Sequence, residues 1–89
     1  MDDEIKKNQT GSYTVKASIS LDDFNEYFDA EMNDETVDTI GDLIMRQIGH
    51  SPKQDESVVI RNFFFKVLHS DHRRIYLLEV IKEPTQEII

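Results

Sequence analysis

The apolar residues of this chain change period at Gly49-His50-Ser51-Pro52. Before that break, Val37, Ile40, Ile44 and Ile48 recur at helical spacing with Leu43 beside them, which is the stripe of an amphipathic helix. After it, residues 57–60, 63–68 and 75–81 are short runs of Val, Ile, Phe and Tyr with the length and composition of strands. Gly49 is placed to end the helix in a left-handed conformation, and Pro52 prevents its resumption. Arg61-Asn62 and His69–Arg73 are short enough to be hairpin connections, so the second half reads as a three-strand antiparallel meander.

The first half supplies a strand and two helices. Tyr13, Val15, Ala17 and Ile19 alternate with Thr14, Lys16 and Ser18, the pattern of a half-buried strand. Ser20 then stands as a helix N-cap before Leu21-Asp22-Asp23-Phe24, with Ile19 and Phe24 in the positions of a hydrophobic staple. Leu21, Phe24 and Phe28 share one face, and the helix should end near Asp29. Asn33 or Asp38 is the expected cap of the second helix, and Gly41 within its apolar stripe points to close packing against another backbone. The order strand, helix, helix, meander argues an α+β fold. Residues 1–10 read as a linker, 11–82 as the domain and 83–89 as a loose tail.

With 89 residues the chain has room for one small domain, and the lack of cysteine excludes disulfides, thiolate metal sites and cysteine nucleophiles. Eighteen Asp and Glu against ten Lys and Arg leave a formal charge of −8, which repels nucleic-acid phosphates. The charge is uneven. Residues 17–45 hold nine carboxylates and no Lys or Arg, whereas Arg46, Lys53, Arg61, Lys66, Arg73 and Arg74 follow in the next segment. No run approaches the roughly 20 apolar residues that span a bilayer, and the start lacks a signal peptide's apolar stretch, so a cytoplasmic location is expected.

Chemistry-bearing clusters are few. Asp22, Asp23 and Glu26 repeat the spacing of Asp34, Glu35 and Asp38, and such a surface could hold hydrated divalent ions weakly. The plainer account is a pair of helix starts satisfying amides and the helix dipole. His69-Ser70-Asp71-His72 has the look of a metal pair, but on an exposed turn the two rings need not converge. No nucleophile elbow or glycine-rich phosphate loop is present, and an enzyme is not expected. In Phe63-Phe64-Phe65 the outer two share one strand face, while Phe64, with Tyr76 or Leu78, belongs to the other as core or contact patch.

Taken in order, Gly11-Ser12-Tyr13, Ser20-Leu21-Asp22-Asp23-Phe24-Asn25, Thr39-Ile40-Gly41, Gly49-His50-Ser51-Pro52, Phe65-Lys66-Val67 and Arg73-Arg74-Ile75 resemble the transporter-associated domain of CorC and haemolysin-C-like proteins. Asp42 and Asp55 stand where that family usually has glycine. The resemblance implies a regulatory, non-catalytic module that follows a pair of CBS domains in a magnesium and cobalt efflux protein. Its partners would be those CBS domains, a second copy of itself or a membrane transport protein, and Mg2+ or Co2+ would be weakly bound or transported by the parent. It also implies a fold similar to a subdomain of vanillyl-oxidase-type flavin enzymes. An alternative role is therefore a sensor of FAD or an adenine nucleotide. Arg73, Arg74, Lys53 and Arg61, the basic residues near expected turns, would hold its phosphates.

Overall fold

The computed structural model describes residues 4–83. Among them the elements run β1 (Ile5–Lys7), β2 (Tyr13–Lys16), α1 (Leu21–Phe28), α2 (Ile40–Ile48), β3 (Ser57–Ile60), β4 (Phe63–Ser70) and β5 (Ile75–Lys82). The strands form one antiparallel sheet in the order β1-β2-β5-β4-β3. The α+β class is as expected. Of the expected loose tail over 83–89, Glu83 is instead held to Asn62, its amide donating to the Asn62 carbonyl at 2.7 Å and its carbonyl accepting from the Asn62 side chain at 3.1 Å, and residues 84–89 lie outside the described residues.

The register sorts side chains into rows. Val58, Phe65, Val80 and Tyr13 lie side by side across four strands, and Val67, Leu78, Val15 and Ile5 form a second row. These rows face the helices and, with Phe24, Phe28, Ile40, Leu43 and Ile44, build the core. Phe24 has no exposed surface and its ring lies 4.6 Å from Phe28, 5.5 Å from Phe63 and 5.8 Å from Phe65. On the opposite face Val59, Phe64 and Ile81 make one row, and Ser57, Lys66, Glu79, Thr14 and Lys6 the next. Phe64 is half-buried there. Its expected companion Leu78 is instead a fully buried core residue opposite Val67.

The linker reading of residues 1–10 is corrected by β1, whose Ile5 pairs with Val15 and packs against the core. A three-residue strand is too short to show a period, and only its pairing makes it visible. The first expected strand stops at Lys16, although Ala17 and Ile19 are buried, because the Ile19 amide turns back to the Lys16 carbonyl.

Thr39, neither Asn33 nor Asp38, caps α2: its hydroxyl oxygen accepts from the Asp42 amide at 3.2 Å. The reason is tertiary. Ser20 and Thr39 form an antiparallel bridge, the Leu21 amide donates to the Asp38 carbonyl at 2.9 Å, and the Ile40 amide donates to Ile19 at 3.0 Å. Each helix start thus satisfies an amide of the other, and the register of that exchange selects the cap.

α1 ends at Asp29 with φ of 52°, as its stripe predicts, and Lys82 donates to the Phe28 carbonyl at 2.7 Å. Gly49 closes α2 with φ of 77°. Asp55, where the resemblance leads one to expect glycine, is left-handed at φ 69°, a conformation that Asp tolerates better than most residues.

Candidate functional site

The β4–β5 hairpin closes over Asp71 to Arg74, starting two residues later than the expected His69–Arg73 connection because His69 and Ser70 still pair in the sheet. Asp71 organises the turn. One carboxylate oxygen accepts from the Arg73 amide at 2.7 Å and the Arg74 amide at 2.9 Å, and the other accepts from the Tyr76 hydroxyl at 2.6 Å. The Tyr76 hydrogen bond, then the two amides, hold its pKa at about 2. The same bond stabilises the protonated phenol and raises the Tyr76 pKa.

Two irregularities in the β4–β5 ladder aim this turn. Val67 pairs with Leu78, His69 with Leu77 and Ser70 with Ile75, so Leu68 and then Tyr76 are passed over. A bulged residue leaves the alternation, which is how Ile75 reaches the core while Tyr76 stays 42% exposed. The Tyr76 ring lies 5.4 Å from that of His69 and 5.9 Å from the Arg74 guanidinium.

These side chains line one wall of an open cavity of about 790 Å³. Lys16, Ala17 and Ser18 form the second wall, and Thr39, Gly41 and Asp42 at the start of α2 the third. Gly41 brings the helix in: its amide donates to the Ala17 carbonyl at 2.8 Å, the close backbone approach expected from the sequence. Asp42, next to it in the chain, lines the cavity and is exposed.

The expected phosphate-binding set is split. Arg73 and Arg74 meet in the cavity, but Arg61 sits at the far end of β4 in the β3–β4 turn, and Lys53 lies in the loop before β3. Lys16, His69, Thr39 and Tyr76 had no counterpart in that set. Strand pairing and the bulge bring Lys16, His69 and Tyr76 to the arginines, and the packing of α2 on Ala17 brings Thr39.

The acidic residues are divided too. Asp22 lines a cleft with Asp34 and Asp38, Asp23 lines another with Glu4 and Tyr27, and Glu26 lines neither. Among the described residues no three His, Asp or Glu side chains form a group that could hold a metal ion. Asp34 has a lowered pKa because Thr36 donates to it from hydroxyl and amide, with Arg46 alongside at 3.0 Å. Among the described residues no helix is long and apolar enough to cross a membrane.

Comparison with known proteins agrees with the order of motifs in the sequence. The family model for the transporter associated domain, CorC_HlyC, matches residues 6–84. The chain belongs to this family. The magnesium and cobalt efflux protein CorC of Buchnera aphidicola subsp. Baizongia pistaciae is 43% identical over 82 residues, which cover 88% of this chain and 29% of that protein. The chain therefore spans less than a third of that relative. A crystal structure described as a putative Mg2+ and Co2+ transporter (CorC) associated region from Neisseria meningitidis MC58 superposes with a TM-score of 0.85 at 31% identity, covering 90% of this chain and 99% of the other. The transporter associated domain of a CBS domain protein from Porphyromonas gingivalis gives a TM-score of 0.79 at 27% identity, covering 91% and 99%. This transporter-associated domain shares with them the α+β fold of two helices on a five-stranded antiparallel sheet.

Proposed function

We propose that this transporter-associated domain is a non-catalytic regulatory module of a magnesium and cobalt efflux protein, acting by docking on the CBS domains of its parent chain in the cytoplasm. The observation that carries the reading is the match to under a third of a relative named as a magnesium and cobalt efflux protein. The relation to a domain of a CBS domain protein supports the choice of partner. The uncovered sheet face offers a surface for it, with half-buried Phe64 and Ile81 in one row with Val59, which is 65% exposed.

A regulatory role also accounts for the titratable groups. Asp34, Asp71 and Tyr76 are perturbed by hydrogen bonds that build turns. The test is to delete residues 11–82 from the parent protein and measure cobalt tolerance of the cells. A fall in tolerance at unchanged protein level is expected. Unchanged tolerance would overturn the reading.

A further inference from the structure

We propose that the cavity between β2, the start of α2 and the β4–β5 hairpin binds a small anion bearing a phosphate chain, held by Lys16, Arg73 and Arg74. The argument starts from charge. In a chain of net charge −8, three of the ten Lys and Arg residues line this one cavity, against a single lining carboxylate, Asp42. They arrive from separate elements, Lys16 from β2 and the arginines from the hairpin, so sequence proximity alone does not explain their convergence.

Asp71, in the same turn, does not neutralise the two arginines. Asp71 spends one oxygen on the backbone amides of Arg73 and Arg74 and the other on the Tyr76 hydroxyl. Among the described residues neither guanidinium has a carboxylate within ion-pair distance. Asp71 therefore shapes the turn through the backbone and leaves both guanidinium forks for a ligand. Arg is suited to bidentate contact with phosphate oxygens, and Lys supplies a point charge.

The α2 start contributes less than its position promises. Its first amides already donate to Ile19, Ala17 and the Thr39 hydroxyl, so the helix offers its dipole and no spare N–H. The Thr39 hydroxyl accepts in the cap and still has its own proton to donate. A volume of about 790 Å³ falls within the range of small-ligand sites, roughly 300–1,000 Å³. Such a site would give the regulatory reading a chemical input. It rests on that reading for its purpose and not for its chemistry.

The experiment titrates the 89-residue chain with sodium pyrophosphate and, separately, with ADP, following backbone amides by NMR at fixed ionic strength. Saturable shifts at Lys16, Thr39–Asp42 and Arg73–Tyr76, with a Kd of about 1 mM or tighter, are expected. The R73A/R74A double variant should weaken binding at least tenfold, and Lys16→Gln should weaken it severalfold, both with an unchanged thermal midpoint. Competition between ADP and pyrophosphate upholds the site. Tighter binding of ADP, with added shifts at Leu77, assigns a nucleotide, and equal affinity assigns the phosphate chain alone. The proposal is overturned if the cavity amides stay still, if sodium chloride moves them equally, or if the double variant binds as tightly as the parent. Because this readout needs no transport, its failure leaves the cobalt-tolerance test of the docking reading untouched.

Discussion

Gly41 and Ala17 touch backbone to backbone: the Gly41 amide donates to the Ala17 carbonyl at 2.8 Å, and a Cβ on Gly41 would lie 2.8 Å from the Ala17 Cβ and 2.9 Å from its carbonyl oxygen. Ala17 in turn donates its own amide to Tyr76 at 3.0 Å. One residue thus ties α2 to β5 and sets the width of the cavity.

Gly41→Ala should therefore destabilise the domain although alanine favours helix. The propensity gain is about 1 kcal/mol, but the added methyl meets a carbonyl that cannot retreat without breaking two hydrogen bonds. A net loss of about 1–3 kcal/mol is expected in urea denaturation, as for other overpacked sites. A stability equal to that of the parent would show that α2 can slide.

Asn25 holds the loop after α1 with two bonds to one residue: its amide nitrogen donates to the Met32 carbonyl at 2.8 Å, and its oxygen accepts from the Met32 amide at 2.8 Å. Those bonds place the Met32 side chain in the core, where it is 3% exposed. Asn25→Ala should cost about 1–3 kcal/mol by leaving that backbone unsatisfied. Amide exchange at Met32 should accelerate, whereas a rate unchanged from the parent would place its protection elsewhere.

Phe64 and Phe65 separate the two sheet faces. Phe65 is fully buried, so Phe65→Ala should remove about 3–5 kcal/mol, enough to threaten folding of a domain this small. Phe64 is half-buried on the uncovered face, and Phe64→Ala should cost about 1 kcal/mol. Equal losses at the two positions would mean that the outer face is covered in solution.

Asp71 and Tyr76 should titrate as a pair. The Asp71 carboxyl, at about 2 when folded against an ordinary 3.8, stabilises the turn fully above the ordinary value. That contribution disappears as pH falls from about 4 toward 2. Tyr76 has the opposite sign: its raised pKa means stabilisation that is complete below 10 and lost as pH rises through the folded value. In carbon-detected NMR titration, Tyr76→Phe should return the Asp71 pKa toward 3.8. A carboxyl that stays near 2 in that variant would assign the shift to the Arg73 and Arg74 amides alone.

What could be read without coordinates was whatever depends on residues close in sequence. The Ser20 cap, the α1 and α2 stripes, the Gly49 stop and the sharing of one face by Phe63 and Phe65 follow from side-chain size, cap chemistry and fixed backbone periods. The need for a glycine at position 41 was visible because glycine inside an apolar helix stripe is costly unless another backbone comes close. Arg73 and Arg74 could be picked out as turn cations for the same local reason.

Tertiary structure alone decided the rest, because pairing partners and their register lie far apart in the chain. β1 exists through Val15, and Thr39 prevails over Asp38 as a cap because the Asp38 carbonyl is taken by Leu21. Tyr76 leaves the sheet alternation through a bulge that no local pattern announces. Lys16 reaches the arginines because β2 pairs with β5, while Arg61 is carried away from them by the length of β4 and Lys53 stays outside the cavity in the loop whose Pro52 carbonyl accepts from the Ser70 hydroxyl. Local chemistry chose the elements, and the long-range hydrogen-bond register chose which side chains meet.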